Sequence, residues 1–178
     1  MNRNEKLLAM SQTAMLTAML AVLAQIAVPM PSNVPLTLQT FGAALCAWLG
    51  GMKKGVPAVL LYLAAGAVGM PVFAGFRGGF AVLLGYTGGF LWGFLPLALC
   101  CASAARRRFL AVPAGLAGIL CCHSIGVMQY CLTAGTGLRE SFLLVSAPYL
   151  LKDIFSAALA YTAAQLIRRA LRSAGVQL

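Results

Sequence analysis

Long apolar runs separated by short polar or glycine- and proline-rich breaks fill most of the chain. Met1 to Gln12 is polar and carries Arg3 and Lys6; an apolar run from Thr13 to Pro29 follows. Further apolar runs cover Leu36 to Leu49, Val56 to Val68, Phe80 to Ala105, Phe109 to Thr133 and Ser141 to Ile167. Runs of about twenty apolar residues match the helix needed to cross a bilayer. The pattern predicts an all-α integral membrane protein of six transmembrane helices. No linker or composition break divides residues 1–178, so they read as one six-helix transmembrane domain. The first run resembles a secretory signal, but it is long and no small-x-small site closes it, which favours a retained helix.

The breaks are as informative as the runs. Pro29-Met-Pro-Ser-Asn-Val-Pro35 holds three prolines, which remove donors and favour extended backbone. Such backbone persists near a membrane where protein buries it or it lines a cavity. Gly50-Gly51 ends the short second helix, Lys53 and Lys54 follow, and Pro57 falls in the first turn of the third. Gly69 to Gly79 reads as an ordered loop with aromatics and one cation, Arg77. In the fourth run Gly85, Gly89 and Gly93 predict a close-packing ridge. On the first helix Ser11, Ala14, Ala18 and Ala21 form a small-residue stripe, open to an internal neighbour or to a partner helix.

Composition agrees. Of 178 residues 61% are hydrophobic and only 9% charged, against about 25% charged in soluble domains. The net charge of +10 is spread over small separate groups, which argues against nucleic acid and for membrane orientation. With a cytoplasmic N-terminus, six spans place ten of the thirteen lysines and arginines inside. Arg77 and Arg139 stay outside and Lys152 lies within a span. All six cysteines fall in apolar runs and read as packing residues.

Asp153 is the one acidic residue inside a run long enough to span. Charge at membrane depth is costly and marks a bundle interior or cavity. Asp153 precedes Arg168 by fifteen residues, roughly 22 Å along a helix, which puts it in the outer third of the bilayer. Lys152 adjoins it, but neighbouring helix positions diverge by roughly 100°, which suits the two to different partners. Ser146 is a candidate N-cap with Pro148 in the first turn. Near this level come Arg77, the aromatics Phe73, Phe76, Tyr86 and Tyr149, and the polar groups Asn33, Thr37, Gln39 and Thr40. Together they suit a small amphipathic anion: cations for its acid group, a carboxylate for its N–H donors, rings for its apolar body. For any one aromatic taken alone, interfacial anchoring is the stronger reading. His123, the single histidine, suits hydrogen-bonded packing better than catalysis. No nucleophile motif or phosphate-binding loop occurs, so the chain reads as neither an enzyme nor an ATPase.

Four stretches resemble one family. Val34-Pro-Leu-Thr-Leu-Gln-Thr-Phe-Gly42, Gly69-Met-Pro-Val-Phe-Ala-Gly75, Leu83-Leu-Gly-Tyr-Thr-Gly-Gly-Phe90 and Ala147-Pro-Tyr-Leu-Leu-Lys-Asp153 are similar to segments of BioY proteins, in the family's order. These are the biotin-specific substrate-binding components (S-components) of energy-coupling factor (ECF) transporters. The resemblance implies six helices in the cytoplasmic membrane and biotin as ligand, with no cofactor. It implies a transmembrane coupling subunit and two ATP-binding cassette ATPases as partners, besides membrane lipid. Asp153 matches the family acid, and Ala14 and Ala18 are similar to the contact that docks on the coupling subunit. The substrate-binding set expected is Asp153, Lys152, Arg77, Tyr86, Phe73, Asn33, Gln39, Thr37 and Tyr149. Tyr86 stands where many members have Pro, and Ser156 where many have Lys, so either Lys152 or Arg77 takes the ligand's carboxylate. An S-component for another vitamin is the alternative, and an intramembrane enzyme using Asp153 as base a remote one.

Overall fold

The computed structural model describes residues 3–175, so Met1 and Asn2 of the polar start lie outside the described residues. The chain is mainly helical: α1 (Arg3–Ala24), α2 (Gln39–Ala67), α3 (Phe80–Leu84), α4 (Gly88–Ser103), α5 (Ala111–Ala134), α6 (Leu138–Val145) and α7 (Ala147–Ser173). Strands β1 (Ala27–Val28) and β2 (Leu36–Thr37) pair antiparallel, Ala27 against Thr37. The proline-rich stretch is the loop between them; it is not helical, but its middle is a turn rather than extended backbone, with Asn33 at φ 60° and its N–H donating to the Met30 carbonyl at 3.1 Å.

Helix α1 starts ten residues before the expected Thr13. Its first turn carries Glu5, an acid at the positive end of the helix dipole. Gln12, Leu16, Leu20 and Ala24 form its buried face. Helix α2 is two helical limbs joined by a reversal. Gly51 has φ 60° and ψ −158°, outside the helical region. A Cβ on Gly55 would lie 2.2 Å from the Cys46 carbonyl oxygen, so the limbs before and after Gly51 touch side by side. Gln39 and Tyr62, near the far ends of the limbs, hydrogen-bond at 2.7 Å. The expected short second and third helices are therefore the two limbs of α2. The helix resumes at Met52 rather than Val56, so Lys53 and Lys54 stand in its first turn and not in a loop.

The expected fourth helix is broken at Gly85–Thr87 into α3 and α4. Gln129 of α5 satisfies the break, its Nε2 donating to the carbonyls of Leu83 (2.8 Å) and Gly85 (2.9 Å). Gly85 thus sits in the break and does not belong to the close-packing ridge. Gly89 and Gly93 do: a Cβ there would lie 2.6 Å from the Ile125 carbonyl oxygen and 2.7 Å from the Cys122 Cα. The expected last helix is likewise divided at Ser146 into α6 and α7.

Trp48, Tyr62, Phe73, Leu20, Leu83 and Leu97 fill the core. The outer surface is also apolar, with Leu61, Leu120, Met128, Phe155 and Leu159 exposed, as a lipid environment requires. Among the described residues four helical stretches are long and apolar enough to cross a membrane by length and composition, 3–24, 39–67, 108–134 and 147–173, the second of them folded back at Gly51; α4 is a shorter apolar helix. This is a multi-pass membrane protein. At one end of the bundle Lys54 meets Gln12, and Arg168 reaches the carbonyls of Ala105 (2.9 Å) and Leu49 (3.1 Å). The opposite end carries the β1–β2 loop, the Gly69–Gly79 loop and the start of α7.

Candidate functional site

Residues from that opposite end enclose a cavity of about 600 Å³ of atom-free space, counting its mouth. Of the expected set, Thr37, Gln39, Phe73, Arg77, Tyr149, Lys152 and Asp153 all line it. Asn33 and Tyr86 do not. They line a shallower cleft beside it, together with Arg77 and Thr87, which belong to both.

The floor is a braced polar cluster on α7, α5 and the first limb of α2. Asp153 is buried, 5% exposed. Its Oδ2 meets His123 Nε2 at 3.1 Å, and His123 Nδ1 meets the Ser146 hydroxyl at 2.9 Å. A neutral imidazole satisfies both, donating to the carboxylate from Nε2 and accepting from Ser146 at Nδ1. His123 is thus buried, hydrogen-bonded packing as expected, though what it packs is Asp153. Ser146 does occupy the N-cap position of α7, but its side chain makes no cap hydrogen bond because it faces His123.

Lys152 corrects the expectation of separate partners. Its ammonium folds back onto Asp153 Oδ1 and also donates to the Thr37 carbonyl at 2.9 Å. Four methylenes let the head cover the angle that separates adjacent Cβ atoms. The ammonium lies against Oδ1 and Thr40 also reaches the carboxylate, but an ionised carboxylate has about four lone-pair sites, which leaves acceptor capacity on the cavity side. Gln39 is fixed on both sides: Oε1 accepts from Thr37 Oγ1 (3.1 Å) and Nε2 donates to the Tyr62 hydroxyl (2.7 Å).

Loops form the roof. Tyr149 holds the first, donating its hydroxyl hydrogen to the Val34 carbonyl at 2.6 Å and lying 3.0 Å from the Ser32 hydroxyl. Tyr149 is thereby a buried tether and no interfacial anchor. Gln25, at the end of α1, holds the second loop: Nε2 donates to the carbonyls of Val72 (3.2 Å) and Phe73 (3.3 Å), while Oε1 accepts from the Phe76 amide (2.9 Å). Phe73 packs edge-on against Tyr62, ring centres 5.4 Å apart. Phe76 projects outward, 72% exposed. Arg77 is exposed, and among the described residues its guanidinium makes no ion pair. Phe90 and Phe94 of α4 supply an apolar wall.

Sequence reasoning missed several of these. Phe90 and Phe94 are spaced i, i+4 toward one face, but among so many apolar residues that spacing is no signal. Gln25 and Gln129 each sit beside a helix end, and a lone amide in an apolar run was the available cue. Thr40, noted among the polar groups, also lines the cavity.

Known proteins are similar to this chain in sequence and in fold. The model of the BioY family matches residues 1–173. The chain belongs to the BioY family. A relative from Pyrococcus horikoshii named "Probable biotin transporter BioY" is 38% identical over 158 residues, 89% of this chain and 94% of the relative. A "Biotin transporter BioY" from Thermotoga maritima is 41% identical over 116 residues, 62% of this chain and 67% of that protein. Among solved structures, the S-component for biotin from an ECF-type ABC transporter superposes with a TM-score of 0.82 at 25% identity, covering 95% of each chain. A BioY chain is a transporter component.

Proposed function

We propose that this chain binds biotin in the cavity and serves as the substrate-binding S-component of an ECF-type transporter in the cytoplasmic membrane. The observation that carries this reading is a buried carboxylate with an available acceptor oxygen at the floor of a partly aromatic cavity. Biotin's ureido ring offers two N–H donors that need such an acceptor. Its fused rings fit against Phe73 and Phe90, and its valerate is an anion for Arg77 at the rim. Arg77 takes this role in preference to Lys152, whose ammonium is already engaged by Asp153 and Thr37. Asn33 and Tyr86, in the adjoining cleft, guide the tail rather than the ring.

The basic residues gathered at the other end support a cytoplasmic location for that end and for both termini, on a reading in which the two limbs of α2 are two of six spans. Ala14 and Ala18 lie exposed on α1, away from the buried Leu16 and Leu20, so their stripe is free for a helix of the coupling subunit. Two partner ATPases supply the energy, and no cofactor is needed.

Mass spectrometry of ligand carried through purification, followed by titration of the stripped protein with biotin and other vitamins, tests the reading. Biotin should be recovered unchanged and should bind most tightly. Recovery of another vitamin, or of a converted product, would overturn it. Cysteines placed at Lys54 and Arg107 should react only from the cytoplasm, and one at Arg139 only from outside; outside labelling at Lys54 would refute six spans.

A further inference from the structure

The end of the bundle remote from the cavity holds a second built feature. Five arginines, Arg106, Arg108, Arg168, Arg169 and Arg172, line one open basin of about 1600 Å³ of atom-free space, counting its mouth, and no acidic residue lines it. Below the basin an apolar groove of about 580 Å³ of atom-free space, counting its mouth, runs between α5 and α7, lined by Gly115, Leu116, Ile119, Ile154 and Ala157. Tyr161 borders both, so groove and basin are continuous. From Arg168 down to Tyr161 is seven residues, roughly 10 Å, and from Tyr161 to Ile154 as much again. That is the depth of about one leaflet with its headgroup layer.

Two polar atoms at the groove remain unsatisfied. Trp48 Nε1 and the Tyr161 hydroxyl are buried and make no hydrogen bond among the described residues. Trp48 is itself only 2% exposed and packs edge-on against Tyr161 at 5.1 Å. A buried donor without a partner is costly, so an acceptor belongs there. Orientation by positive charge explains basic residues at this end but needs neither a concave basin nor orphaned donors beneath it; Lys53 and Lys54 share the end and line neither feature.

We propose that basin and groove form a site for one anionic phospholipid, independent of the biotin reading. The arginines take the phosphodiester, for which the guanidinium fork is well shaped. The ester oxygens accept from Trp48 and Tyr161, and one acyl chain fills the groove. Basic pockets between membrane helices are known to take anionic headgroups. Arg168 is already committed in part to the carbonyls of Ala105 and Leu49, which leaves Arg106, Arg108, Arg169 and Arg172 as the freer contacts.

The chain has two tryptophans, so the full-length Trp92→Phe variant leaves Trp48 as sole reporter, shielded from bulk lipid by its burial. Reconstituted in vesicles, it should be quenched more by chain-brominated phosphatidylglycerol than by chain-brominated phosphatidylcholine at equal mole fraction. Arg106→Gln with Arg169→Gln and Arg172→Gln should reduce that preference by about tenfold or more. Gly115→Leu should abolish the quenching by filling the groove. A Cβ at Gly115 meets Trp48 and Ala157 only at ordinary contact distance, 3.9 and 4.0 Å, so the core tolerates one. Unchanged biotin binding certifies that each variant is folded. Equal quenching by both lipids, or a preference that survives loss of the three arginines, would overturn the proposal. So would loss of the preference in millimolar inorganic phosphate, which would assign the basin to a free anion.

Discussion

Asp153 and Arg77 line the same cavity, yet their surroundings share little. Asp153 is buried and braced by His123, Lys152 and, through His123, by Ser146, each on a helix or at its end. Arg77 is exposed on a loop whose hold on the bundle runs through Gln25 and the buried ring of Phe73. A carboxylate fixed on helices can discriminate by geometry, because moving it would strand several buried polar groups. A cation on a loop can follow a ligand's flexible tail and be screened by solvent. The floor is thus suited to reading a rigid ring, and the roof to reading a charge and closing over it.

Several substitutions would break or sharpen that contrast. The largest effect belongs to the floor. Asp153→Asn keeps the size but exchanges an acceptor for a donor and leaves Lys152 without its counter-ion. Biotin affinity should fall by about 1.5–3 kcal/mol, ten- to a hundredfold, in a titration of the purified protein. Affinity equal to the parent's would make Asp153 a structural ion-pair member only. Desthiobiotin, which keeps the ureido ring, should weaken in parallel.

A smaller change is expected from loosening the roof. Tyr149→Phe removes the hydroxyl that holds the Val34 carbonyl while keeping the ring. One neutral hydrogen bond is worth about 1 kcal/mol, so stopped-flow release of biotin should accelerate by about fivefold. A release rate identical to the parent's would show that this tether does not limit opening.

The smallest effect on biotin lies far from both. Ala14→Leu or Ala18→Leu should leave affinity in the isolated protein unchanged and reduce recovery of the complex with the coupling subunit in a pull-down. Equal loss of biotin binding would mean that the stripe packs internally.

The sequence revealed the elements better than their joints. Hydrophobic runs located every long helix, and Gly50-Gly51 marked the reversal in α2. The break at Gly85 escaped notice because its carbonyls are satisfied by Gln129, forty-odd residues away and invisible to local pattern. Within the site, composition alone drew attention to Asp153, since acids are so scarce here. Its link to His123 depends on how α5 lies against α7, and pairwise contacts between distant helices leave no spacing signature. Lys152 was misjudged because helical angle constrains a Cβ and not the end of a four-carbon side chain. Tyr86 stands in the Gly85–Thr87 turn and Asn33 in the β1–β2 loop, and the packing of these two segments, which no local pattern encodes, brings them together in the adjoining cleft.

The division between floor and roof is tested most directly by titrating biotin and its uncharged amide against the parent, Arg77→Gln and Asp153→Asn proteins. The parent should prefer biotin over the amide. Arg77→Gln should lose most of that preference while binding the amide as the parent does, and Asp153→Asn should bind both ligands more weakly with the preference intact. A preference that survives in Arg77→Gln and vanishes in Asp153→Asn would contradict the assignment of ring to floor and charge to rim.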